Sequence, residues 1–160
     1  MGRYGTSRIT IDVLVASVTG VVAVMVFSLK RVQRAARWVA FLLATVIPLA
    51  LLVGGAQPFA VGLVPAPWDK LAHMAVYAVL ACAIGFASRR QGPSAMLIGF
   101  LGALLVGALD EFSQMHLPGR TAEFDDLVAD AVGAALGTVV LAVRIQVRAW
   151  VAAHEEARRL

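Results

Sequence analysis

About five apolar stretches, each close to the 20 residues that cross a bilayer as helix, divide this chain. They run from Ile9 to Leu29, Trp38 to roughly Ala56, Asp69 to Ala87, Ser94 to Met115, and Asp126 to about Val147. With 60% hydrophobic and only 15% charged residues, the composition is not that of a soluble domain of 160 residues. Runs such as Val21-Val22-Ala23-Val24-Met25-Val26 would suggest a buried strand in water. In lipid a lone strand leaves its backbone groups unpaired, so helix is the expected state throughout. The fold class is therefore all-α: a polytopic membrane helical bundle, a single domain over residues 1–160, with loops short enough to make consecutive helices neighbours. Pro48 is expected to kink the second run or to sit near its end. The first run carries Asp12 and reads as a spanning helix, a signal anchor or an interfacial segment. It lacks an Ala-x-Ala-like site before Lys30, which argues against a cleaved signal peptide.

Basic residues give these spans a direction. With five spans, Lys30, Arg31, Arg34, Arg37, Arg89, Arg90, Arg144, Arg148, Arg158 and Arg159 fall on one side, and only Arg3, Arg8, Lys70 and Arg120 on the other. By the positive-inside rule the first side is cytoplasmic, with the N-terminus outside and the C-terminus inside. The net charge of +4 then reflects topology and contact with anionic lipid headgroups. Nucleic-acid binding is not expected, since these residues lie in short loops without a stacking platform or reading element. Trp38, Trp68 and Trp150 flank spans as interfacial aromatics do, and the tail beyond Arg144 reads as helix leaving the membrane. Cys82 is the sole cysteine and packs as a small hydrophobe.

Acidic residues go the other way. Asp12, Asp69, Asp110, Glu111, Glu123, Asp125, Asp126 and Asp130 all belong to the outer side. Asp69, His73 and Tyr77 recur at i, i+4 and i+8 and share one helical stripe, with Lys70 beside it. Glu111 and Gln114 face together at the end of the fourth run, and Asp126 and Asp130 lie one turn apart at the start of the fifth. Charges a turn inside a membrane must be paired or line a wet pocket. On that outer side, the seven carboxyl groups from Asp69 to Asp130 have two cations available to them, Lys70 and Arg120. At least one of Glu111, Asp126 and Asp130 is therefore expected to carry a proton or a bound cation. Small residues at every fourth position, Gly99, Ala103 and Gly107 on one helix and Ala129, Gly133 and Gly137 on another, favour close helix contact. Pairing of those two stripes would bring the charged ends together.

Each polar residue also has a structural reading. Asp69, Asp125 or Asp126 would serve as helix N-caps, Lys70 would snorkel, His73 would be a hydrogen-bonded packing residue, and Arg120 would pair with Asp126 or Glu111. Glu111 and Gln114 are less easily explained this way, because a helix end does not require a carboxylate and an amide on its inner face.

The succession Asp69-Lys70-x2-His73-x3-Tyr77, then Glu111-x2-Gln114-x3-Pro118-x-Arg120-x5-Asp126-x3-Asp130-x2-Gly133-x3-Gly137, resembles the pattern of the VanZ-like family of small bacterial membrane proteins. The resemblance spans residues 38–147, is strongest over 69–137, and makes the first run an addition to a four-helix core. Asp130 stands where that family typically has Asn. The resemblance implies a bacterial cytoplasmic-membrane protein acting in the cell envelope. Its namesake is linked to resistance to teicoplanin, a lipid-bearing glycopeptide, and the family has no settled reaction to transfer.

Two functions compete. In the first, an outer-leaflet site built from Asp69, Lys70, His73, Tyr77, Glu111, Gln114, Arg120, Asp126 and Asp130 binds or modifies a lipid-linked envelope precursor or a lipoglycopeptide. Lys70 and Arg120 would grip phosphate or carboxylate, and Glu111 and His73 are the catalytic candidates if there is chemistry. In the second, a structural or interaction protein uses the same residues to lock helix ends together. No cofactor is expected. Nor is a metal, as His73, His116 and the carboxylates lack a recognised ligand spacing. Transport is disfavoured because no charge reaches the inner half of a span, and Ser113 has no elbow motif to make it a nucleophile. A reporter fused before Thr6 should be found outside the cell membrane; a cytoplasmic reporter would overturn the five-span topology.

Overall fold

The computed structural model describes residues 28, 30–118 and 123–158. Four helices among the described residues are long and apolar enough to cross a membrane: α1 (Lys30–Gly54), α2 (Trp68–Ala87), α3 (Pro93–Gln114) and α4 (Phe124–Ala157). No strand occurs among those residues. The first apolar run, Ile9 to Leu29, lies outside them except for Ser28, and with it the fifth helix expected there. The chain divides into compact units at 1–37 and 38–160. Of the first, residues 30–37 are helical and carry Lys30, Arg31, Arg34 and Arg37. The packing below belongs to the second.

The boundaries of α2 and α3 fall within a residue or so of those expected, and α4 continues unbroken through its basic tail. At about 1.5 Å per residue, the 34 residues of α4 extend roughly 50 Å, well beyond a hydrocarbon core of about 30 Å. The start of α1 differs from expectation. The basic segment before Trp38 was expected as a loop, but Lys, Arg, Gln and Ala are strong helix formers, and the helix runs through it. Pro48 sits near the other end of α1. Having no N–H, it cannot bond the carbonyl four residues back. The ladder widens into a π turn at Ala50–Gly54, which closes with the Gly55 N–H on the carbonyls of Ala50 at 3.2 Å and Leu51 at 2.9 Å. A turn-rich loop with a short 3₁₀ turn at Pro58–Ala60 leads on to α2.

The packing is inverted relative to a water-soluble bundle. The buried core is small: Tyr77, Leu80, Ala81, Ala103 and Ala134, with Ile47, Leu51, Val76, Ile84, Phe100 and Val106 against it. Large side chains such as Leu101, Leu105, Leu109, Leu136 and Val139 point outward. Exposed apolar surface of this extent is stable in lipid and not in water. Small residues inside bring the helix backbones close.

Helices α2, α3 and α4 each pack on the other two, and the most extensive interface is between α2 and α4. The two small-residue stripes do not pair with each other as expected. A Cβ at Gly133 or Gly137 of α4 would run into the carbonyls of Met74 and Ala78 on α2, and one at Gly99 of α3 into the carbonyl of Ala81, also on α2. Only Gly107, at the polar end of α3, faces α4. Because backbone carbonyls cannot swing away, Gly133→Val should cost about 3 kcal/mol, the upper end for overpacking. Gly54→Ala, with nothing within 4 Å of the new methyl, should be close to neutral. Thermal unfolding of the purified protein in detergent measures both.

Candidate functional site

The first turns of α2 and α4 and the last turns of α3 meet at one end of the bundle. Lys70, in the first turn of α2, reaches across to α4. Its Nζ donates to Glu123 Oε2 at 2.7 Å and to Asp126 Oδ1, and lies 3.4 Å from Asp69 Oδ2. Asp69, Glu123 and Asp126 carry oxygens within 4.8 Å of one another, a grouping suited to a cation, and the lysine ammonium fills it. Lys70 therefore does not snorkel alone to the surface. It joins two helix starts.

One turn deeper, His73 Nδ1 lies 2.8 Å from Asp130 Oδ1, and the Asp130 side chain is wholly buried. The other oxygen, Oδ2, has no hydrogen-bond partner among the described residues and lies against Gly107, where a Cβ would come within 2.6 Å of it. Gly107 thus makes room for the carboxyl group. The His73 ring stacks on Tyr77, with centroids 6.1 Å apart and planes 14° from parallel. Tyr77 is fully buried, and its hydroxyl also lacks a partner among the described residues.

From α3, Glu111 Oε2 accepts the backbone N–H of Glu123 at 2.9 Å. Glu123 is the residue before α4 and makes no side-chain capping bond of its own. A carboxylate from a neighbouring helix thus satisfies a donor at the helix start. Asp69, Asp125 and Asp126 do not act as N-caps: the cap positions are Pro67 and Glu123, and the three aspartates lie in first turns, where negative charge complements the helix dipole. Gln114 Nε2 donates to Asp110 Oδ2 at 3.2 Å, both side chains being buried.

Beside this network is a cavity of about 650 Å³, within the range of small-molecule sites. The end of α1 and the loop after it form its apolar wall, including Leu51, Phe59, Leu63 and Val64. Its polar wall carries Asp69, His73, Tyr77, Asp110, Gln114, Glu123 and Asp126.

A family model described as VanZ/LLP1 matches residues 12–145. The chain belongs to the VanZ/LLP1 family. No curated protein and no solved structure matches it. The matched stretch includes every residue of the network and reaches back into the first apolar run.

Of the site residues expected from sequence, Asp69, Lys70, His73, Tyr77, Glu111, Gln114, Asp126 and Asp130 converge at this end of the bundle, and Arg120 lies outside the described residues. Asp110 and Glu123 belong to the site as well. Asp110 sits four residues before Gln114, the spacing that places both on one helical face, and Glu123 is marked only by its position just before an acidic helix start.

An Asn at position 130, which the sequence resemblance implies for this family, would also fit this geometry. An amide oxygen accepts from the His73 ring N–H as a carboxylate does. Asp130→Asn should therefore unfold within about 1 kcal/mol of the parent, whereas Asp130→Leu, which leaves His73 without its partner, should cost about 2 kcal/mol or more. Lys70→Met strands three carboxylates. Because Lys70 is partly exposed, the cost should be about 2 kcal/mol, less than for a fully buried pair. Unfolding midpoints in detergent report both effects.

Proposed function

We propose that this VanZ/LLP1 protein lies in the bacterial cytoplasmic membrane with its charged cavity open to the outer leaflet, where it binds the polar head of a lipid-linked envelope component or of a lipoglycopeptide. The observation that carries this reading is Tyr77: a fully buried hydroxyl with no partner among the described residues, on the wall of a cavity that is apolar on one side and polar on the other. Buried polar groups are ordinarily satisfied, so one facing a cavity points to a missing occupant. The excess of arginine and lysine at the opposite helix ends supports the orientation. If the bound molecule is also modified, His73 is placed for proton transfer, its Nδ1 fixed by Asp130 and its Nε2 left for the ligand.

A second reading also rests on a specific contact. Lys70 ties α2 to α4 through Glu123 and Asp126, as a purely structural network would. Substitutions that preserve shape separate the two. His73→Gln, Glu111→Gln and Arg120→Lys should leave the amount of folded protein and its melting temperature nearly unchanged while abolishing protection against a lipoglycopeptide in cells. Loss of folded protein in all three would favour the structural network.

A further inference from the structure

The chemistry of the cavity wall narrows the ligand. Among the described residues, Lys70 is the cation paired with this wall's carboxylates, and Asp69, Glu123 and Asp126 already hold it. Four carboxyl-bearing side chains face the cavity, from Asp69, Asp110, Glu123 and Asp126. A phosphate or carboxylate seated there would face carboxylates and compete with them for the Lys70 ammonium. Two side chains of the wall have a buried polar atom without a partner among the described residues: Asp69, whose Oδ1 can only accept while the carboxyl is ionised, and Tyr77, whose hydroxyl accepts as well as donates. The Tyr77 hydroxyl is an observation separate from the acidic grouping, and it directs the search to the cavity rather than to the carboxylates alone.

We infer that the group bound in this cavity is a protonated primary amine on an aliphatic or lipid chain. This rests on the proposal that the cavity holds a polar head. A primary ammonium supplies three N–H donors and one positive charge, matching the unpartnered acceptors and the acidic wall together. A hydroxyl-only head offers donors without charge, and a trimethylammonium offers charge without donors. The chain attached to the amine lies along Leu51, Phe59, Leu63 and Val64. Two sources share this chemistry: an aminoethyl phospholipid head and a free long-chain amine.

Native mass spectrometry of the full chain in detergent tests the inference. Phosphatidylethanolamine, phosphatidylcholine and phosphatidylglycerol of identical acyl composition are supplied together, with dodecylamine as competitor. The ethanolamine lipid should be retained about tenfold over either of the others, the scale of one hydrogen bond to a charged group. Tyr77→Phe should lower that retention by a similar factor without shifting the melting temperature. Ala72→Phe, which places a ring in the cavity, should abolish it. Displacement by dodecylamine identifies a free amine as sufficient, and retention against it identifies the lipid head; both support the inference. Equal retention of the three lipids, or preference for phosphatidylglycerol, with Tyr77→Phe still lowering binding, overturns the amine and leaves the cavity as a binding site. Retention unaffected by both variants overturns the binding site as well.

Discussion

The ammonium of Lys70 set among the carboxylates of Asp69, Glu123 and Asp126 is the interaction on which this end of the molecule depends. Each of those charges sits at the start of a helix whose other faces are apolar, and each would be costly there alone. Once they are brought together, the ammonium offsets part of the carboxylate charge and draws the starts of α2 and α4 into register. That register aligns His73 with Asp130 one turn deeper, and it places Glu123 where Glu111 can bind its backbone N–H. Three helices are thereby joined by contacts that lipid cannot replace.

The rest of the bundle makes this possible by packing α3 and α4 closely on the backbone of α2. Gly133 and Gly137 let α4 approach the backbone of α2, and Gly99 does the same for α3, so that side chains from all three helices reach one another across the polar end. The wall opposite comes from the π turn that follows Pro48 and from the loop beyond it. A cavity with one charged and one apolar wall results from joining an inside-out bundle to a broken helix end.

Much of this is legible in sequence because membrane helices have few alternatives. Spacing alone placed Asp69, His73 and Tyr77 on one stripe, and they do line one cavity. What sequence could not supply was partnership. The small-residue stripes have the right period for close contact, but period does not say which neighbour they meet: Gly99, Gly133 and Gly137 meet α2, and Gly107 meets α4. Glu111 looked unexplained on its own helix because the donor it satisfies belongs to another. Asp69 and Asp126 resembled caps because first-turn acids and caps occupy nearly the same positions. The start of α1 was hidden by its arginines, which mark a membrane boundary and favour helix equally well.

Asp130 stands where the VanZ-like pattern implies an amide, yet its bond to His73 needs only an acceptor, so geometry explains the position without invoking its charge. The central claim is that the cavity beside Tyr77 is a binding site. The most direct measurement is an electron cryo-microscopy map of the full chain in lipid nanodiscs, at a resolution that shows ordered ligands. The account predicts non-protein density between the Leu51–Val64 wall and Tyr77, ending in a group within hydrogen-bond distance of the Tyr77 hydroxyl and Asp69. A closed cavity, with that hydroxyl bonded to a carboxylate of the protein itself, would contradict it.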